Sequence, residues 1–130
     1  MIESGLVSLL KSDPEISALV GSRVYPVIVP ATATYPCLSY HTVSKPPEVT
    51  LDKSAQETAR IQIDCWGNSY SSVKALQQKL HTLLDGFLGT CPDGTDISLC
   101  TRDIEGDYWE SDAKVFRCLS EYLVEYPSGQ

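Results

Sequence analysis

The sequence has no cluster of lysine and arginine. Ten basic residues stand against seventeen acidic ones, a formal net charge of −7 at pH 7. A protein that grips DNA phosphates needs a basic face, so tight or sequence-specific nucleic-acid binding is not expected. An acidic surface favours solubility and repels DNA. No two cysteines stand at Cys-x-x-Cys spacing. The five present, Cys37, Cys65, Cys91, Cys100 and Cys118, are odd in number. That argues against a disulfide framework and against a zinc ribbon. Long apolar runs are missing too. At the N-terminus the apolar residues are interleaved with Glu3, Ser4, Lys11 and Asp13. Neither a signal peptide nor a bilayer span is expected, and synthesis in a reducing cytoplasm is. There is no glycine-rich phosphate loop, no serine nucleophile elbow and no internal repeat.

What is present is the composition of an ordinary soluble domain, 42% apolar and 21% charged over 130 residues. That length predicts one domain spanning 1–130. Leu6, Val7, Leu9 and Leu10 predict a helix over 2–11. "SDPEISALV" predicts a second, with Asp13 or Ser12 as cap, Pro14 at the first position and Gly21 as its end. "RVYPVIVP" is extended, and Pro26 and Pro30 confine it to an edge or to non-sheet structure. "PCLSYHTV" predicts a strand over 37–43. Residues 44–57, polar and with two prolines, predict a long loop or arm.

"TARIQIDCW" is the clearest strand. Ala59, Ile61, Ile63 and Cys65 point one way, Arg60, Gln62, Asp64 and Trp66 the other. A helix follows over 70–85, capped by Ser69, with Val73, Leu76, Leu80, Leu83 and Leu84 at steps of three and four and Gly86 just past its end. "TCPDGT" is a turn. "DISLCTRDIE" and "KVFRCLSEYLVEY" are two more strands, joined by an acidic turn, "GDYWESDA". The expectation is an α+β fold, three or four mainly antiparallel strands with helices on one face. The last strand carries apolar residues on both faces: Val115, Leu119 and Leu123 on one, Phe116, Cys118, Tyr122, Val124 and Tyr126 on the other. Such a strand is covered on both faces, here with another subunit as the second cover.

Three groups of residues invite a chemical reading. Cys65 beside Asp64 suggests a nucleophile, but a nucleophilic cysteine needs a base and a lowered pKa. The alternation turns Asp64 away from Cys65, which is expected to be a small buried apolar residue. Asp103, Glu105 and Asp107 imitate the start of a calcium loop. The sixth and twelfth positions hold Tyr108 and Lys114 where glycine and glutamate are required, so the motif fails. His81 sits mid-helix, where a satisfied core or flank position is the default. Trp66, beside a strand break, and Trp109, in the acidic turn, are candidate interface anchors, with packing over a sheet edge as the competing reading. No metal or cofactor is expected. Two further classes remain open: a thiol enzyme or redox protein using Cys65 or Cys118 with His41, and an acidic binding or inhibitor module.

The layout resembles a family, the small tail-completion proteins of long-tailed bacteriophages, which include tail terminators and head–tail joining proteins. "DPEISALVGSRVYPVIVP", "YPCLSYHTVS", "RIQIDCWGNSYSSVKALQQKLHTLLDGF" and "DIEGDYWESDAKVFRCLSEYLVEY" are similar to its successive segments, in order and over nearly the whole chain. The resemblance implies a structural protein without catalytic residues. It implies a ring, usually of six copies, in the virion at the head-proximal end of the tail. Such a ring ends tail-tube polymerisation and docks to the head connector, and DNA slides through it unbound. Its partners would be itself, the tube protein and the connector, with no membrane involved. The candidate contact residues are Trp66, Trp109, Tyr122 and Tyr126, with Lys45, Glu48, Asp52 and Lys53 in the arm.

Overall fold

The computed structural model describes residues 1–47 and 55–128. Helix α1 (Ile2–Ser12) buries Ile2, Leu6, Leu9 and Leu10, the stripe that helical spacing dictates. Asp13 ends it and starts α2 (Pro14–Val20): its carboxylate accepts a hydrogen bond from Ile16 N–H at 3.0 Å, and Pro14 takes the first turn. Strands β1 (Val24–Pro26), β2 (Cys37–Ser44) and β3 (Gln56–Gly67) follow. Ser69 caps α3 (Tyr70–Leu84), accepting from Ser72 N–H at 3.2 Å. A small hairpin, β4 (Gly89–Thr90) and β5 (Asp96–Ile97), precedes the long pair β6 (Leu99–Glu110) and β7 (Val115–Pro127).

The fold is α+β, built on a mainly antiparallel five-stranded sheet in the order β1-β2-β3-β7-β6. β1 runs parallel to β2, and the other neighbours are antiparallel. So the sheet has one strand more than the sequence suggests, because the proline-bounded 24–26 segment does pair, at the edge that Pro26 allows. The larger correction concerns 106–110. These residues are not a turn. β6 runs on to Glu110, opposite Val115, and the turn is only Ser111–Lys114. An edge strand with acidic residues on both faces has no apolar alternation for a sequence reading to detect.

The helices pack on one face of the sheet. Ala59, Ile61, Ile63 and Cys65 of β3 and Cys118, Tyr122 and Val124 of β7 meet Val73, Leu76, Leu80 and Leu84 of α3 in one buried cluster. β3 runs straight into the helix, and Gly67 makes that junction possible: a Cβ there would lie 2.6 Å from Val73 Cγ2. Among the described residues no helix is long and apolar enough to cross a membrane.

Candidate partner interface

Among the described residues no helix covers the opposite face of the sheet. Its centre is Arg117 of β7, which lies between two aromatic rings: its guanidinium carbon is 4.6 Å from the Tyr108 centroid and 5.5 Å from that of Trp66. Arg117 Nε donates to Glu110 Oε1 at 2.8 Å, and Nη1 stands 3.6 Å from Asp64 Oδ1. One cation thus joins β6, β7 and β3 through stacking and charge. Gly106 gives Tyr108 room to lie along its own strand: a Cβ at 106 would come within 3.3 Å of that ring, so the aromatic covers the glycine. Trp66 is fixed from the other side, its indole N–H donating to Ser39 Oγ at 2.9 Å. Asp64 is only 5% exposed and accepts from Gln62 Nε2. Burial pushes its carboxyl above the ordinary value, against the pull of Gln62 and Arg117. A second ionic node stands one step along: Arg60 reaches Asp103 at 2.7 Å and Glu121 at 3.0 Å.

Beside this stack runs a groove of about 570 Å³. Trp66 and Tyr35 line it, between the segment after β1 and the β6–β7 turn at Asp112 and Ala113. Val27 and Ile28 stand at its rim, 68% and 74% exposed. Val27 is also a β-branched residue at φ 62°, a conformation that costs energy. Exposed apolar side chains next to an aromatic floor are the anatomy of a contact surface.

The third feature is the outer edge of β6. Its first part is capped by the chain that follows α3. Gly86 N–H donates to Cys100 O, Cys100 N–H to Phe87 O, and Arg102 N–H to Asp85 Oδ1. A bulge between Arg102 and Ile104 then shifts the register. From Ile104 to Trp109 the outer side has no hydrogen-bond partner among the described residues. α3 braces this stretch from within. Lys74 and Tyr70 reach Asp107 at 3.1 and 2.6 Å, and Gln77 donates to Ser120 Oγ. Buried His81 joins Tyr122 through Nδ1 and Glu105 through Nε2, at 2.6 and 2.8 Å. The Tyr70 hydroxyl, and then Lys74, hold the Asp107 carboxyl below its ordinary value.

Among the expected contact residues, Trp66 lies on the open face, in the groove. Trp109 lies on β6 rather than in a turn, is 54% exposed, and packs edge-on against Phe116 at 4.9 Å. Lys45, just beyond β2, is tied back to Glu3 of α1 at 2.9 Å. Glu48, Asp52 and Lys53 lie outside the described residues, as does most of the expected arm. Tyr122 and Tyr126 require a correction. Both are buried in the chain's own core, Tyr122 bonded to His81, and so are not on its surface. The apolar character of β7 belongs mainly to its helix-covered side. Opposite, half-buried Leu119 and Leu123 alternate with half-buried Arg117 and Glu121 and exposed Glu125.

None of the thiols is activated by its surroundings among the described residues. All five cysteines are free and buried. Burial raises Cys65 well above the ordinary thiol value and Cys118 to about 11, the opposite of an activated nucleophile. His41 pairs across from Gln62, whose side chain faces away from Cys65. Asp103, Glu105 and Asp107 are engaged separately by Arg60, His81 and Lys74, and no metal-binding cluster exists among the described residues. Sequence reasoning missed Arg117, Tyr108 and the Val27–Ile28 pair. Only the last left a trace, as a β-branched run between two prolines.

A family model for "Tail completion protein gp17" matches residues 4–124. Among solved structures, the chain is similar to one in "Virion of native gene transfer agent (GTA) particle", with a TM-score of 0.73 and 14% identity over 97% of this chain and 94% of that one. At that identity the likeness shows a shared fold. No curated protein matches the chain by sequence. With its family match running from the first helix into the last strand, the chain belongs to the gp17 family of tail completion proteins.

Proposed function

We propose that the chain is a one-domain, non-enzymatic structural subunit of a phage tail. It assembles head to tail into a ring of six at the head-proximal end, stops tube polymerisation and joins the tail to the head connector. The observation that carries this reading is the family match across residues 4–124. The geometry suits it. A closing ring needs two different, complementary surfaces on each subunit. Among the described residues this chain leaves an open sheet face with its groove, and a separate strand edge, unpartnered. Trp66 and Trp109 supply one aromatic anchor to each, and Lys45 with the charged 48–53 segment supplies further contacts. An excess of seven negative charges suits a conduit through which DNA passes without adhering. The ring is made in the host cytoplasm and ends in the virion.

The test is electron microscopy of lysates from the parent phage with this gene silenced. Filled heads beside over-long unattached tails are the expected result and establish tube termination. Filled heads beside unattached tails of normal length reduce the role to head–tail joining. Normal infectious virions overturn both.

A further inference from the structure

We propose that the outer edge of β6, from Ile104 to Trp109, is a strand-addition site. It takes an extended segment of a partner protein that carries basic residues at alternate positions. The inference goes beyond the ring reading, in which this edge offers the Trp109 side chain to a neighbouring subunit; here the backbone of the edge is the binding element and the occupant is a different protein.

The first argument is the contrast along one edge. Cys100 and Arg102 point their backbone groups outward and find partners in Asp85, Gly86 and Phe87. Hydrogen-bonding direction alternates along an antiparallel strand. Carried through the bulge after Arg102, that alternation turns the amides of Glu105, Asp107 and Trp109 outward. The described residues cover one part of this edge and leave the adjoining part bare. The opposite edge of the sheet cannot grow in this way. Val24 N–H is taken by Ser22 O, Pro26 has no N–H, and Val27 N–H turns inward to Tyr40 O.

The second argument is charge. Acidic side chains on an edge usually guard it. Here each is drawn toward a cation or His81 that approaches from inside the subunit: Arg60 for Asp103, His81 for Glu105, Lys74 for Asp107, Arg117 for Glu110. The backbone between them stays open among the described residues. Glu105 binds His81 through Oε2 only, and both Asp107 oxygens are engaged yet still exposed to further cations. Half-exposed Ile104, Tyr108 and Trp109 provide apolar contact on both faces.

A second copy of β6 fits this edge poorly. Antiparallel self-pairing about Asp107 sets Asp107 against Asp107. Pairing about Gly106 sets Glu105 against Asp107 twice, and like charges directly opposite destabilise a ladder. Centring on Tyr108 leaves only 106–110 paired. An extended segment with lysine or arginine at alternate positions meets Glu105 and Asp107 instead, while its backbone completes the ladder.

The test uses the full chain and an acetylated heptapeptide of alternating lysine and valine, with a glutamate–valine peptide as control. Amide hydrogen exchange is read by NMR. The lysine peptide is expected to slow exchange at Glu105, Asp107 and Trp109 by about tenfold or more, and the glutamate peptide is not. Asp107→Pro, which removes one outward donor at a position where an edge tolerates proline, is expected to abolish the slowing. If that variant does not fold, the two peptides on the unaltered chain decide alone. No slowing, equal slowing by both peptides, or slowing elsewhere overturns the proposal. So do amides already protected without peptide in a chain that sediments as an oligomer, which would make the occupant a second copy.

Discussion

The two faces of this sheet are held by different physics. The helix-covered face is a dry apolar cluster in which Ile61, Ile63, Leu76 and Leu80 are essentially inaccessible to water. Its polar members are few: Gln77 bonds to Ser120 and His81 to Tyr122, while the buried Tyr126 hydroxyl has no partner among the described residues. The open face is bound by one stacked arginine, two ionic nodes and a buried carboxylate, and carries few aliphatic side chains. Burial of apolar surface sets stability, whereas stacked and paired polar groups fix geometry at smaller net gain. The first face therefore makes the chain fold, and the second is a surface ordered by stacking and charge.

If that division is right, substitutions on the covered face should cost far more than those on the open one. Ile63→Asp places an unpaired charge among β3, β7 and α3. We expect no folded protein, seen as loss of the far-ultraviolet circular dichroism of the fold. Leu80→Ala opens a cavity under α3 and should cost about 2–5 kcal/mol in urea titration. Arg117→Ala removes both ring stackings and the link to Glu110. It should cost about 1–3 kcal/mol, and Arg117→Lys should not restore the stacking. A cost equal to that of Leu80→Ala would erase the distinction between the faces. Trp109→Ala should change stability by about 1 kcal/mol or less yet weaken assembly in sedimentation. Unchanged assembly would remove Trp109 from the contact surface.

The smallest expected effect is in pH dependence, and its sign separates two aspartates. Burial raises Asp64, so the folded state holds that proton more tightly than the unfolded chain. The stability it contributes is complete below the unfolded carboxylate value and is lost as pH rises through the raised folded value. Asp107 is lowered by Tyr70 and Lys74. Its contribution is present above the unfolded value and is lost as pH falls through the folded one. Asp64→Asn should therefore remove a decline with rising pH, and Asp107→Asn a decline with falling pH. Denaturation midpoints across the acid range measure both.

The covered face was legible in the sequence because burial leaves a period. Ala59, Ile61, Ile63 and Cys65 alternate, the leucines of α3 recur at helical steps, and Asp13, Pro14 and Ser69 mark the helix starts. The open face was not legible. Trp66, Arg117 and Tyr108 come from three strands, and only the register of β3, β7 and β6 brings them together. Beyond Glu105 the sequence of β6 looks like a turn, because acidic residues at an exposed edge resemble a solvated loop. Tyr122 and Tyr126 read as candidate contact residues because β7 appears apolar on both sides. The count that matters is per face, and Arg117, Glu121 and Glu125 lower it on the open side.

The separate settings of the two tryptophans have an optical consequence. Trp66 is held under a guanidinium with its indole N–H bonded to Ser39, whereas Trp109 stands half in water on the strand edge. A collisional quencher in solution reaches Trp109 first. The residual emission then comes from Trp66 and follows the integrity of the stack. Occupation of the edge shields the quenchable fraction, and occupation of the groove shifts the residual one. The chain thus contains a separate native fluorophore for each of its two candidate contact regions.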